Sequence, residues 1–211
     1  MKKNIAIIDY GLGNIVSAHQ SFTKVAQDNG WNANILITNN PKDIELSSHI
    51  VLPGQGAFQS CMDGLKNITG MIDQLSSSVL IKGIPFLGIC VGMQLLANES
   101  CENGKHDGLG WIKGSIKKLP SENIKLPHMG WNEVIFNNNY SQLGISKEKQ
   151  DFYFVHSYYF DCFDKNNILG STNYGINFAS IIGKENIYGV QFHPEKSSEQ
   201  GLGLIKDFLL I

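Results

Sequence analysis

The sequence predicts an α/β protein: an open, mostly parallel sheet with helices on both faces and antiparallel strands added in the C-terminal half. Three observations carry this. Apolar runs at 4–9, 50–52 and 84–89 lack the polar alternation of a half-solvated strand, so they read as strands covered on both faces. Segments of helical period stand between them. Beyond Gly108 that period gives way to strand-length runs separated by turn residues.

In order, the strand at 4–9 stops at the turn Gly11-Leu12-Gly13. A helix follows, with Ile15, Ala18, Phe22, Val25 and Ala26 on one face and Gly30 at its end. Strands at 34–38 and 50–52 come next, the second running into Pro53-Gly54-Gln55-Gly56. One helix is predicted over 57–76, then a buried strand at 84–89 and a helix over 91–98. Strands at 114–119, 132–136, 152–163 and 177–182 form the antiparallel addition, and the strand at 187–192 returns to the core. The last helix starts near Ser197, which has capping-box spacing to Gln200. Its apolar face carries Leu202, Ile205, Phe208 and Leu209. No repeat, low-complexity tract or linker interrupts the chain, so one domain over 1–211 is expected.

A chain of 211 residues buries roughly 70% of its unfolded surface and needs neither metal nor disulfide to fold. Its net charge of −2 comes without a basic stripe, which argues against a nucleic-acid partner. The first apolar run is broken by Asp9, and no run approaches the ~18 residues of a membrane span. A cytoplasmic protein is expected. The four cysteines, Cys61, Cys90, Cys101 and Cys162, form no C-x-x-C pair and read as free thiols, each either core filler or nucleophile. No complete dinucleotide fingerprint, P-loop or zinc spacing is present, so no cofactor or metal is expected. His19, His49, His106 and His128 are scattered and read as non-catalytic.

The strongest chemical signal is Gly88-Ile89-Cys90-Val91-Gly92, lying between a buried strand and a helix. It is the cysteine form of the nucleophile elbow, with glycines where strand and helix must approach and the sulfur at a helix N-terminus. The competing reading is a core cysteine beside a glycine-rich turn. A thiol nucleophile needs a base and the base an orienting group, and His193-Pro194-Glu195, after the strand at 187–192, supplies both. Taken alone, that tripeptide is equally a surface turn. The backbone of Gly54, Gln55 and Gly56, between a strand and a helix, together with the amide of Val91, is suited to hold an oxyanion.

These residues resemble the class I (triad) glutamine amidotransferases, whose fold is flavodoxin-like, and the resemblance runs over nearly the whole chain. It is carried by Ile8–Asn14, Leu52-Pro53-Gly54-Gln55-Gly56-Ala57-Phe58, the elbow through Gln94, and the segment from Gly189 to Ser198. Two further segments, Pro127-His128-Met129-Gly130-Trp131-Asn132 and Phe152 through Tyr158, are similar to one branch of that family. The branch feeds ammonia to a (β/α)₈-barrel cyclase, which makes imidazole glycerol phosphate and an aminoimidazole carboxamide ribotide in histidine biosynthesis. The resemblance implies that Cys90 attacks the carboxamide of L-glutamine, His193 moves the protons and Glu195 holds His193. It implies glutamine contacts at Gln94, Glu102, His156, Ser157 and Tyr158, and a docking face of Leu12, Asn14, Met129, Trp131, Tyr153 and Lys196. Trp131 in the core is the alternative for that residue.

One departure is Gln55, where the family usually has valine; a partner-free glutaminase rate different from the family's is expected. Other clients stay open, notably a surface-sugar synthase; anthranilate and guanylate types often carry histidine where this chain has Met93. A subunit without catalysis would show damage at Cys90, His193, Glu195, Gly54 or Gly56, and none is present. A cysteine peptidase would cleave casein and spare glutamine.

Overall fold

The computed structural model describes residues 3–122, 124–137 and 148–211. The N-terminal half alternates β1 (Lys3–Ile8), α1 (Ile15–Asp28), β2 (Ala33–Thr38), α2 (Pro41–Glu45), β3 (His49–Gly54), α3 (Phe58–Asn67), α4 (Met71–Ser76) and β4 (Phe86–Cys90). A short α5 (Val91–Gln94) leads to β5 (Glu99–Ser100), β6 (His106–Asp107) and β7 (Gly114–Lys118). β8 (His128–Phe136), β9 (Lys149–His156), β10 (Tyr158–Cys162), β11 (Ile168–Tyr174), β12 (Ile176–Lys184) and β13 (Ile187–Val190) follow, and α6 (Ser198–Leu210) closes the chain.

One sheet runs β2-β1-β3-β4-β13-β12-β10-β7-β5-β6, with β11, β8 and β9 branching from β12. From β2 to β13 every neighbouring pair is parallel. β12, β10 and β7 then add antiparallel pairings. The chain moves outward from β1 to β2 and then returns across β1 to β3. With right-handed crossovers this puts α1 on one face and α2–α4 on the other. α1 packs on α6, where Phe22 meets Phe208 edge-on at 6.4 Å. The C-terminal ends of the central parallel strands form the edge where open α/β sheets place their sites. Among the described residues no helix is long and apolar enough to cross a membrane.

Four expectations need correction. The helix predicted over 57–76 breaks after α3: Ile68 is extended and Gly70 takes φ 78°, so α4 starts afresh. The helix predicted over 91–98 ends at Gln94, because Asn98 is drawn to β7, exchanging hydrogen bonds with Gly114 through its backbone N–H and its Oδ1. The strand predicted over 152–163 divides at Ser157. β9 pairs with β8, whereas β10 pairs with β7 and β12. Finally, Ser197 caps nothing: its hydroxyl donates to His193 O at 2.6 Å and accepts from Tyr153 N at 3.0 Å. α2 was missed, although Asn40-Pro41 is an N-cap followed by proline at the first helical position; Asn40 accepts from Lys42 N at 3.2 Å.

Of the four buried histidines, three have lowered pKa values. Burial lowers His49 and His128 to about 4, helped at His49 by the Lys3 charge. Burial lowers His156 to about 3, with His128 and His193 adding to it and the hydrogen bond to Tyr158 O opposing it. All three folded values lie below the ordinary 6.5. The unfolded chain therefore takes up protons first as pH falls. Their contribution is whole above pH 6.5 and is lost as pH drops through 4 and then 3. Unfolding near pH 5 is expected to take up about three protons from this source. Urea midpoints from pH 7 to 4.5 measure the slope, and His49→Phe should remove about one proton from it; an unchanged slope refutes the assignment for His49.

Candidate active site

Cys90 ends β4 at φ 55° and ψ −113°, a backbone state that an L-residue keeps only where its surroundings over-determine it. Glycines do this. A Cβ on Gly88 would lie 2.5 Å from Gly92 O, and one on Gly92 would lie 1.9 Å from Leu52 O. β3, β4 and α5 thus meet backbone to backbone, as the elbow requires. Cys61, Cys101 and Cys162 are also free thiols, with Cys101 the exposed one.

Strand register brings the distant pieces to the sulfur. β3 pairs with β4 so that Gly54 stands opposite Cys90, and β13 sets Val190 opposite Ile89. His193, just beyond β13, is tied to β9 by its N–H to Tyr153 O at 2.9 Å and by the Ser197 hydroxyl. Its Nδ1 donates to Glu195 Oε1 at 2.8 Å, with both side chains buried. A carboxylate only accepts, so the proton sits on Nδ1 and Nε2 is the nitrogen left for chemistry. Nε2 is buried and has no hydrogen-bond partner among the described residues. Burial alone would lower His193, but Cys90 and Glu195 more than offset it and raise it to about 10.

A cavity of about 290 Å³ opens onto Cys90 and His193. Gln55, Gly56 and Val91 line it, as do all the predicted glutamine contacts, Gln94, Glu102, His156, Ser157 and Tyr158. The last three sit at the break between β9 and β10. Glu102 also has a structural task, since its Oε2 accepts from Phe58 N at 2.8 Å at the start of α3. The Gln55 side chain is exposed, and its backbone carbonyl accepts from Cys61 Sγ at 3.5 Å.

Of the predicted docking residues, Met129 and Trp131 are 62% and 52% exposed, so Trp131 is no core residue. Tyr153 meets Trp131 edge-on across the β8–β9 pairing, and Lys196 Nζ lies 6.0 Å from the Tyr153 ring centre. Leu12 is half-buried against the core, and Asn14 Nδ2 reaches Glu195 Oε1 at 3.4 Å. Asn14 therefore contacts the His193–Glu195 pair.

Sequence reasoning missed Gln191, which is fully buried with Nε2 at 3.7 Å from Cys90 Sγ. It lies inside the run read as the strand at 187–192, so nothing set it apart as a site residue. It also missed Tyr10, whose hydroxyl donates to Pro53 O at 2.7 Å beneath the Gly54 turn. Nothing local marks a tyrosine for that task.

Residues 6–211 match the family glutamine amidotransferase class-I. The chain belongs to that family. Among class-I glutamine amidotransferase relatives, the protein named imidazole glycerol phosphate synthase subunit HisH from Rhodospirillum rubrum is 44% identical over 208 residues, covering 97% of each chain. The protein of the same name from Pelagibacter ubique is 43% identical over 98% of this chain and 99% of its own. Subunit HisH 2 from Methanococcus maripaludis is 46% identical over 97% and 98%. A solved glutamine amidotransferase from Thermotoga maritima superposes with TM-score 0.67 at 17% identity, covering 98% of this chain and 96% of its own, which shows the shared amidotransferase fold.

Proposed function

We propose that this chain hydrolyses L-glutamine to glutamate and ammonia through Cys90, His193 and Glu195. We propose further that it is the glutaminase subunit of an imidazole glycerol phosphate synthase, passing the ammonia to a (β/α)₈-barrel cyclase. The supporting observation is the meeting of an elbow cysteine and an oriented, buried histidine at one small cavity. The clients named for the relatives support the choice of synthase.

In this reading the Cys90 sulfur attacks the carboxamide carbon, and the carbonyl oxygen takes the negative charge. The amides of Val91 and of the Gly54–Gly56 turn stabilise that oxyanion. His193, raised to about 10, carries its proton at neutral pH and gives it to the leaving nitrogen, so ammonia departs and a thioester remains. Nε2 then takes a proton from water as the water attacks the thioester, which frees glutamate and restores the sulfur. Glu195 keeps the imidazole in the tautomer that aims Nε2 at these steps. No step needs a metal or cofactor. The exposed Met129–Trp131–Tyr153 group beside this site supplies rigid aromatic area for the cyclase to bury.

Glutamate and ammonia release is the test, with the chain alone and with the cyclase and its ribotide substrate. Stimulation by the cyclase is the expected result. Glutaminase activity indifferent to the cyclase overturns the choice of client. Absence of activity in every mixture overturns the glutaminase itself. Gln55→Val in the partner-free assay should shift the basal rate, and an identical rate removes Gln55 from the account.

A further inference from the structure

Between the docking strand β8 and the cavity lies a buried histidine pair that the chemistry above does not use. His128 and His156 are 3% and 6% exposed, with His128 Nδ1 2.9 Å from His156 Nε2. The direction of every bond along this line is forced. Tyr158 O only accepts, so His156 Nδ1, at 2.8 Å, carries its proton. A neutral imidazole has one N–H, so His156 Nε2 accepts and His128 Nδ1 donates. His128 Nε2 is then an acceptor and faces Asn132 Nδ2 at 3.1 Å. Asn132 is itself oriented, with Nδ2 donating to Asn173 O at 3.0 Å and Oδ1 accepting from Glu133 N at 2.8 Å. Both histidines stay neutral through ordinary pH because burial lowers them, so the line keeps one sense.

At its far end Tyr158 O receives a second donor, Gln94 Nε2, at 3.1 Å. The same Nε2 donates to Gln191 Oε1 at 3.0 Å, and Gln191 Nε2 faces Cys90 Sγ. Both hydrogens of the Gln94 amide are thereby used, and its Oε1 remains as an acceptor on a cavity-lining residue. An acceptor there suits a ligand N–H, such as the amide or ammonium of glutamine. The opposite His156 tautomer would set a lone pair against Tyr158 O, and the His128 N–H excludes it. The His128 ring is held in place by Phe154 and Tyr174, stacked at 4.8 and 4.0 Å.

We propose that His128 and Asn132 are positioning residues for glutamine, selecting the His156 tautomer that holds the Tyr158 carbonyl and, through it, the Gln94 amide. This rests on the glutaminase reading above. Asn132 follows Trp131 on β8, so the line begins in the strand of the proposed docking face and ends beside the nucleophile.

The experiment is steady-state glutaminase kinetics of the chain with its cyclase, for the parent, His128→Phe, His128→Asn and Asn132→Ala. His128→Phe keeps the ring stack and removes both nitrogens, and it is expected to raise KM for glutamine about tenfold with kcat within about twofold. His128→Asn returns a donor near the Nδ1 position and is expected to recover most of that KM. Asn132→Ala, on the sheet surface, should raise KM about threefold and serves if His128→Phe does not fold. A merely structural histidine would lower Tm and the active fraction in all variants while leaving KM of the folded enzyme unmoved. That outcome overturns the relay while the glutaminase stands. An inactive parent overturns the glutaminase reading and the relay with it.

Discussion

Cys90→Ala is expected to lower glutamate release by about 10⁴-fold or more while leaving the fold in place. In the proposed mechanism the sulfur is nucleophile in the first step and leaving group in the second, so the residual rate is only what oxyanion donors and substrate binding give to direct attack by water. The fold should tolerate the change because alanine keeps the Cβ, and the contacts of Sγ are long, 3.7 Å to Gln191 Nε2 and 4.0 Å to Val155 O. The strained φ of 55° is present in both proteins and so largely cancels. Cys101→Ala, at the exposed thiol, is the matched control and should retain full activity. Rates by coupled glutamate detection and Tm by calorimetry on the same preparations decide the matter. A Cys90→Ala protein retaining more than about a hundredth of parental activity would exclude the sulfur as nucleophile.

Gly92→Ala is expected to act in the opposite way, through stability. Its added Cβ would lie 1.9 Å from Leu52 O and 3.0 Å from Leu52 C. Leu52 is fully buried in β3, paired with Gly88 of β4 directly after the residue that pairs with β1, so its backbone has no room to withdraw. Relief requires α5 to lift off β3 and β4, carrying Cys90 with it. Loss of about 4 kcal/mol or more is expected, above the roughly 1–3 kcal/mol usual for overpacking because the clash is with fixed backbone. In a domain of this size that lowers Tm by roughly 10 °C or more, or leaves the protein insoluble. A soluble Gly92→Ala protein with Tm within about 2 °C of the parent would show that the elbow is looser than its geometry implies.

The two substitutions separate what was legible in the chain from what was not. Gly88-Ile89-Cys90-Val91-Gly92 could be read directly, because an elbow is built from neighbours: buried strand, glycine, nucleophile, glycine, helix. His193 and Glu195 were legible for the same reason, being two residues apart after a core strand. The α1 face also held, with Ala18, Phe22, Val25 and Ala26 all buried. Three of the errors came where a distant segment overrode a local preference. Ser197 has a capping spacing, yet its hydroxyl is spent on Tyr153 and His193. The run 91–98 has helical period, yet Asn98 is captured by Gly114. The strand over 152–163 was continuous in pattern, yet it divides at Ser157 because its two halves join different neighbours.

The sequence by itself determined the strand–helix alternation, the cysteine turn and the His-Pro-Glu segment that follow core strands, and the glycines that let the elbow form. Periodicity and steric demand act over a few residues and are written where they act. Only the tertiary structure decided that Gly54 stands opposite Cys90, that Tyr10 secures the strand beneath it, and that Gln191 and Asn14 reach the site. It alone set the direction of the bonds from Asn132 through His128 and His156 to Tyr158. A hydrogen bond between residues far apart in the chain depends on strand register, and register comes from the summed burial of whole faces rather than from either partner's neighbours.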